Sequence, residues 1–252
     1  MLKIPELMEL LKAGAHFGHK SSKRYAKMAP YVHTTRNQID IIDLEQTSAA
    51  LEKAVQFVYD VTAKGGLVLF VASKRQAKEI VKEKALACGM PFVVNRWLGG
   101  TFTNFESIRA LVRRMKELET KQQTGQLEKY TKKEQLDFER ERIRLTDLVG
   151  GLRDMDRLPA AVFAIDLKKE KTAITESTVK GVPVIAMVDT NCNPLSVAYP
   201  IPANDDASKS INLIVSALAN AATEGRAKFL STLSSATPAP ASTSAPVVNR
   251  AV

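Results

Sequence analysis

Three short runs of branched apolar residues recur along the chain, at residues 67–72, 160–165 and 182–188. None of them alternates with polar residues, as a strand with one solvent-facing side would. A short, continuous apolar run is typical of a strand that is buried on both faces of a parallel sheet. The runs therefore predict a central parallel sheet that is covered by helices on both sides.

Helical patterns alternate with these strands, which favours a β-α-β succession. Further predicted strands are 38–44 and 92–94, and predicted helices are 47–63, 74–87 and 208–222. Gly89 is the predicted stop of the second helix. The fold class is α/β, with a Rossmann-like (flavodoxin-like) parallel sheet flanked by helices.

Residues 103–157 interrupt this succession with two long, charged helical stretches and no strand pattern. Apolar residues from Ile108 to Leu118 form a narrow seam among charged ones. Gly125 marks a turn, and residues 132–148 supply a partner helix. The segment is predicted to be an inserted antiparallel helical hairpin, a coiled coil.

The end of the chain has a different composition. Residues 231–252 are rich in Pro, Ala, Ser and Thr and carry a single charge, on Arg250. Such a segment buries too little apolar surface to fold, so it is predicted to be a disordered tail. The α/β domain is then formed by residues 1–102 and 158–230.

Basic residues outnumber acidic ones 36 to 27, which gives a formal net charge of +9 and a pI near 9.5. The excess is greatest at the start of the chain, where residues 1–36 hold seven basic side chains against Glu6 and Glu9. A basic patch favours a polyanionic partner such as nucleic acid. A solvated basic face is the alternative.

The basic N-terminal stretch interleaves cations with aromatic residues. Its cations include Lys20, Lys23, Arg24, Lys27 and Arg36, and Phe17, Tyr25 and Tyr31 lie among them. Lysine and arginine neutralise phosphates, and aromatic rings stack on unpaired bases, a combination that suits folded RNA. Alternatively, Phe17 and Tyr31 are core anchors of a solvated loop.

The cysteines and the hydropathy of the chain argue against a zinc or redox motif, a membrane span and a signal peptide. Cys88 and Cys192 lie far apart and lack the spacing of a zinc or redox motif. No apolar stretch approaches the roughly 20 residues of a membrane span, and the start of the chain lacks a signal-peptide pattern. We expect a cytoplasmic protein with reduced thiols and no membrane partner.

Polar residues follow several predicted strands, where doubly wound sheets bind their ligands. However, Gly65-Gly66 precedes its strand, and Gly99-Gly100 lacks the spacing of a phosphate-binding loop. A nucleophile elbow is also missing from the sequence. We predict no enzyme, no catalytic residue, no cofactor and no small-molecule substrate. A Rossmann-like nucleotide-binding enzyme is the alternative.

Five residues have the ligand chemistry of a divalent-ion site: His16, His19, Asp189, Asp205 and Asp206. Carboxylates that follow strands also cap helices and shape turns, and Asp205 or Asp206 is placed to cap the final helix. We predict capping and no metal. An ion-stabilised interaction module is the alternative.

Long motifs occur in a distinctive order along the chain, among them AGAHFGHK, KMAPYVHTTRNQIDIIDLEQT, NRWLGGTFTN and GVPVIAMVDTNCNP. Their succession resembles the bacterial-type small-subunit ribosomal protein S-two family (universal ribosomal protein uS-two). The resemblance covers about residues 2–230. Only the tail departs from the family pattern.

The resemblance implies a structural constituent of the small ribosomal subunit, seated between head and body. Its implied partners are small-subunit rRNA and neighbouring ribosomal proteins, including ribosomal protein S-one, whose docking it would support. Trp97 is predicted to anchor its loop by packing. The implied RNA-binding residues are Lys20, Lys23, Arg24, Lys27, Arg36, Lys74, Arg75 and Arg96, with Arg109, Arg113 and Arg114 on the hairpin.

Overall fold

A computed structural model of the protein describes residues 2–236, with side chains described for residues 2–232. At its centre lies a five-stranded parallel sheet with the strand order β5-β4-β6-β7-β8. Its strands are β4 (Val68–Val71), β5 (Phe92–Val93), β6 (Ala161–Ile165), β7 (Val184–Val188) and β8 (Tyr199–Pro202).

The three predicted apolar runs form the middle of this sheet as β4, β6 and β7. Every residue of these three strands is buried. Both faces of each strand are thus covered, which is why their sequences show no polar alternation. The prediction of a Rossmann-like parallel sheet is confirmed.

Alternate residues of each strand contribute to opposite faces of the sheet. Phe70 and Phe163 belong to a first core cluster. The same cluster contains the apolar faces of three helices, α2 (Leu44–Ala63), α3 (Lys78–Cys88) and α7 (Ser208–Ala236). A short first helix, α1 (Leu7–Lys12), joins this cluster through its buried Leu10.

The other face of the sheet carries a second core cluster, which includes Leu69 and Val162. Three further helices contribute side chains to it: α4 (Phe105–Gln123), α5 (Lys132–Val149) and α6 (Lys171–Val179). The sheet therefore lies between two apolar layers, as expected for an α/β protein.

Two predicted helix boundaries differ from the observed ones. Helix α2 begins at Leu44 instead of residue 47, because the Asp43 side chain accepts a hydrogen bond from the Glu45 amide at 2.9 Å. Helix α3 begins at Lys78 instead of residue 74, because residues 74–77 form a turn. Its predicted stop is confirmed, since Gly89 has the left-handed φ of 66°.

A second, antiparallel sheet precedes the parallel one in sequence, with the order β1-β3-β2. Its strands are β1 (Phe17–Lys20), β2 (Val32–Arg36) and β3 (Ile39–Ile42). Including residues 38–44 in the parallel sheet was therefore wrong. Asn37 and Gln38, both with positive φ, form a two-residue hairpin that turns β3 back onto β2.

Helices α4 and α5 lie between β5 and β6 in sequence. Residues 124–131 connect them, and their arrangement as an antiparallel hairpin stays a prediction. Arg114 and Glu141 join the two helices through paired hydrogen bonds of 3.0 and 2.9 Å. The division of the chain into an α/β domain and a separate 103–157 domain stays a prediction, as does the coiled coil.

Helix α7 is longer than predicted, because it continues past residue 222 to Ala236. The prediction of disorder from residue 231 was therefore wrong for residues 231–236, where no proline interrupts the helical sequence. The rest of the predicted tail, residues 237–252, lies outside the described residues. None of the described helices has the length and apolar character required to cross a membrane.

Helix α7 lies close to α2 at Gly225, where a Cβ atom would lie 2.0 Å from Thr62 Oγ1 and 2.7 Å from the Tyr59 carbonyl oxygen. Alanine is otherwise favoured over glycine inside a helix by about 1 kcal/mol. We expect Gly225→Ala nevertheless to lower the free energy of unfolding by roughly 1–3 kcal/mol, because two packed helices must separate. Chemical denaturation followed by circular dichroism measures the change.

The adjacent exposed position provides the control. Glu224→Ala should change the free energy of unfolding by less than about 0.5 kcal/mol. A Gly225→Ala protein as stable as the parent would contradict the close approach of α2 and α7.

Candidate nucleic-acid interface

The carboxyl ends of β4, β6, β7 and β8 carry an ion-pair network around Lys74. Lys74 is buried, and its Nζ atom lies 2.6 Å from Asp205 Oδ1 and 2.6 Å from Asp206 Oδ1. Asp166 is the third carboxylate near it, at 3.9 Å. Burial disfavours the charged amine, yet hydrogen bonds to Asp205 and Asp206 raise the pKa of Lys74 above its usual value. Its ammonium group is fully engaged inside the protein.

The carboxylates of this network outnumber the single ammonium. Burial, together with the neighbouring Asp189, raises the pKa of Asp205 to about 7, although Lys74 opposes that change. This electronegative crevice at the strand ends disfavours a phosphate group.

Three of the five candidate metal ligands converge at this crevice. His19 Nδ1 lies 3.0 Å from Asp189 Oδ2, and His19 Nε2 lies 3.7 Å from Asp206 Oδ2. One ligand atom from each lies within 4.8 Å of the others, so the trio has the donors and spacing to hold a divalent cation. Asp205 is engaged by Lys74, and His16 lies against the Phe17 ring with a centroid distance of 4.0 Å.

Asn204 shapes the turn before α7. Its Oδ1 atom accepts hydrogen bonds from the Asp206 amide at 2.9 Å and the Ala207 amide at 3.2 Å, both ahead of the helix start at Ser208. The carboxylates of Asp205 and Asp206 contact Lys74, and their capping of the final helix stays a prediction.

The antiparallel sheet is attached to the crevice through Thr190. The His19 amide donates to Thr190 Oγ1 at 2.9 Å, and the Tyr25 amide donates to the Thr190 carbonyl at 2.8 Å. Gly18 lies so close that a Cβ atom would be 2.5 Å from Thr190 Cγ2. These contacts fix the position of the N-terminal basic segment on the parallel sheet.

Four predicted cations of this segment face outward. Lys20, Lys23, Lys27 and Arg36 are exposed, and none of them forms an ion pair within the described part of the chain. Their charges are therefore available to an external anion. We call these four residues the N-terminal basic surface.

Arg24 belongs to the same segment but is used within the protein. Its Nε donates to Asp40 Oδ2 at 2.6 Å, and its Nη2 donates to Thr35 Oγ1 at 2.6 Å and also contacts Asp40 Oδ1. The hydrogen bond from Arg24 lowers the pKa of the buried Asp40, against the effect of its burial. Arg24 thus holds the hairpin in shape behind the N-terminal basic surface.

The remaining predicted cations are dispersed. Arg75 and Arg96 are exposed after β4 and β5, and Arg113 is exposed on α4. The other two on α4 are paired, Arg109 with Glu106 and Arg114 with Glu141. Lys74 is enclosed by carboxylates, and we leave it out of the interface.

Sequence reasoning missed Glu176, which organises the loop after β5. Its carboxylate accepts hydrogen bonds from the amides of Gly100 at 2.8 Å, Phe102 at 2.9 Å and Thr103 at 3.2 Å. Trp97 Nε1 donates a further bond at 3.2 Å. The predicted anchoring of this loop by Trp97 is confirmed, since the indole is 8% exposed and packs edge-on against Phe102. A glutamate in an ordinary helical stretch gives no sequence signal of this role.

Comparison with known proteins gives consistent matches. The family model described as Ribosomal protein S2 matches residues 10–225. A Salinibacter ruber protein named small ribosomal subunit protein uS2 is 48% identical over 217 residues, which cover 86% of this chain and 68% of that protein. Proteins of the same name from Acidothermus cellulolyticus and Mycobacterium leprae are 47% and 46% identical, covering 89% of this chain and 82% and 81% of their own lengths.

The fold is an α/β scaffold with exposed cations on and beside its antiparallel sheet, and a fold alone does not define a function. The family match covers most of the chain. The chain belongs to the ribosomal protein S2 family. It is accordingly a structural component of the small subunit of the cytoplasmic ribosome and not an enzyme.

A substitution of Glu176 tests whether its carboxylate stabilises the loop after β5. Burial disfavours its charge, but the hydrogen bonds from Phe102, Gly100 and Trp97 lower its pKa below the usual glutamate value. Glu176→Gln removes the charge and places amide hydrogens opposite N–H donors. We expect the free energy of unfolding at neutral pH to fall by roughly 2–4 kcal/mol. Urea denaturation measures it.

The pH dependence of the stability difference between the parent and Glu176→Gln distinguishes an effect of the carboxylate charge from an effect of packing. A carboxylate whose folded-state pKa is lowered stabilises the fold above its unfolded-state pKa, and loses that contribution as the pH falls through the folded-state value. The difference between the parent and Glu176→Gln should therefore shrink below about pH 4.5. A difference that stays constant down to about pH 3 would contradict this account. Glu52→Gln, at an exposed position of α2, is the matched control and should show no such difference.

Proposed function

We propose that this ribosomal protein binds small-subunit rRNA through its N-terminal basic surface. The observation that carries the proposal is that Lys20, Lys23, Lys27 and Arg36 are exposed and unpaired in the described structure. Cations without internal partners neutralise phosphates and release their counterions. Such contacts position a protein on RNA without reading its sequence.

Aromatic side chains lie on the same surface. Phe17 is 49% exposed and Tyr25 is 39% exposed. Exposed rings beside cations can stack on unpaired bases, which favours a folded RNA with splayed nucleotides over a uniform duplex. The core-anchor alternative does not fit Phe17, because half of its side chain faces solvent.

Other basic residues contribute to rRNA binding to different degrees. Arg75 and Arg113 are exposed and add phosphate contacts. Arg24, Arg109 and Arg114 would bind RNA only in competition with their carboxylate partners. The main attachment is therefore assigned to the N-terminal basic surface.

A location between head and body of the subunit, and support for the docking of ribosomal protein S-one, follow from the family resemblance. An apolar groove of about 420 Å³ beside α1 favours a protein partner. Leu7, Met8 and Leu11 line it and are 45%, 59% and 46% exposed. We assign the docking of S-one to this α1 groove.

Neutralising three lysines tests the RNA proposal. We expect the Lys20→Gln, Lys23→Gln, Lys27→Gln triple variant to bind a small-subunit rRNA fragment roughly 10- to 100-fold more weakly at moderate salt. The slope of log K against log salt should fall by roughly 2–3, because about three fewer counterions are released. Filter binding over a salt series measures both quantities.

The control variant removes the same charge from exposed lysines outside the N-terminal basic surface. Lys168, Lys171 and Lys180 are also exposed, and their replacement by glutamine should leave the salt slope within about one of the parent value. Equal losses in the two triple variants would show that only net charge matters. Unchanged binding by the first variant would overturn the proposed interface.

The assignment of S-one docking has its own test. Met8→Asp places a charge in the α1 groove and should lower the retention of S-one on purified small subunits by roughly tenfold. Lys12→Gln makes the same change in net charge outside the groove lining and should have no effect. Quantitative gel analysis of salt-washed subunits measures retention, and normal retention with Met8→Asp would contradict the assignment.

A further inference from the structure

A second groove runs between α5 and the segment that follows β5, with a volume of about 560 Å³. A hydrogen bond of 2.9 Å from Asn95 Nδ2 to the Asp147 carbonyl links its two walls. We call it the α5 groove, and its lining residues are Arg96 and Leu98 on one wall, with Arg140, Ile143, Arg144, Asp147 and Leu148 on the other. The α5 residues follow a spacing of three and four, which places them on one face of the helix.

The floor of the α5 groove is aliphatic and open to solvent. Ile143 is 49% exposed, and Leu136, two turns earlier on the helix, is 50% exposed. Neither residue belongs to the core clusters of the described structure, to which α5 contributes the buried Leu145 and Val149 and the partly buried Phe138 and Leu148. Leu98 and Leu148 of the lining pack against the second core cluster, so Ile143 is the exposed apolar side chain of the groove.

The rim of the α5 groove carries charge that the described part of the chain leaves uncompensated. Arg96 and Arg144 form no ion pair there, and Arg140 reaches only the exposed Asp137 at 3.7 Å. Asp147 is the single carboxylate in the lining. Three guanidinium groups thus surround an apolar floor.

Several other arginines of the helical pair have carboxylate partners. Arg114 binds Glu141, and Arg142 binds Glu139, each through two hydrogen bonds. Arg113 on α4 is exposed and forms no ion pair among the described residues. The groove arginines remain available for a partner from another molecule.

We propose that the α5 groove binds an acidic segment of a neighbouring protein, which inserts one apolar side chain between flanking carboxylates. Guanidinium groups bind carboxylates with two parallel hydrogen bonds, and arginine next to an apolar pocket is typical of protein interfaces. The lining contains no aromatic ring on which a base could stack, and Asp147 repels a phosphate chain. The occupant favoured here is therefore protein and not RNA, so this site is additional to the rRNA attachment.

The α5 groove also differs from the α1 groove. Asp43 and Glu45 line the α1 groove, so that groove carries the opposite charge. A partner with acidic residues around its apolar anchor fits the α5 groove and is repelled from the α1 groove. The two grooves therefore take different partners.

A peptide with this chemistry tests the site on the full chain. The probe is fluorescein-labelled acetyl-Glu-Glu-Leu-Phe-Glu-Glu-amide, with binding followed by fluorescence anisotropy. We expect Arg144→Glu to weaken binding roughly tenfold or more, and Ile143→Ser to weaken it roughly threefold to tenfold. Lys133→Glu reverses a charge at an exposed position of α5 outside the groove and should change affinity less than about twofold.

The chemistry of the probe is varied in the same experiment. Replacing its glutamates by glutamine, or its leucine and phenylalanine by serine, should abolish measurable binding. Equal binding of the glutamine peptide, or an equal effect of Lys133→Glu, would overturn the proposal. It would also fail if hexauridylate RNA bound more tightly than the peptide and lost that affinity with Arg144→Glu, since the groove would then be an RNA site.

Photo-crosslinking in purified small subunits tests the natural occupant. Ile143→benzoylphenylalanine should crosslink to a protein segment with aspartate or glutamate on both sides of an apolar residue, identified by mass spectrometry. The same probe at Lys133 should not yield that product. Crosslinks to rRNA, or no crosslink although sucrose gradients show full incorporation of the variant, would overturn the proposal.

Discussion

The arrangement of the molecule depends on the Lys74 ammonium at the carboxyl ends of the parallel strands. A parallel sheet brings the residues after β6, β7 and β8 to one edge, and in this chain those residues are largely acidic. Without a cation among them, Asp205 and its neighbours would repel one another in a poorly solvated space. Lys74 reaches them from the turn of residues 74–77 that follows β4 and precedes α3. The antiparallel sheet is attached to the same edge through Thr190.

The strands that the sequence predicts best are those with the same apolar surroundings on both faces. The strands β4, β6 and β7 are buried on both faces, so their composition alone reveals them. Strand β8 contains Pro200 and Pro202 and escaped prediction, although an edge strand tolerates proline. Strands β1 and β2 are largely exposed, and their polar residues resemble a loop.

The candidate interface was predictable to a similar degree. Charge interleaved with aromatic residues indicated the segment that carries Lys20, Lys23 and Lys27. Which cations stay free could not be predicted, because pairing depends on residues remote in sequence: Arg24 meets Asp40 across 16 positions, and Lys74 meets Asp205 across 131. Glu176 was missed for the same reason, since its hydrogen-bond partners lie more than 70 residues earlier. Ion pairs between residues remote in sequence thus decide which basic side chains are engaged inside the protein and which remain free at its surface.

The close approach of Gly18 to Thr190 has a consequence for the order of synthesis. The two contacting segments are separated by 171 positions, as measured by the hydrogen bond between His19 and Thr190. A ribosome making this chain releases the lysine-bearing N-terminal segment early and the residue that receives it much later. The segment therefore waits for its docking site through most of translation, and a chain truncated before residue 190 would carry its positive charges on an unanchored arm.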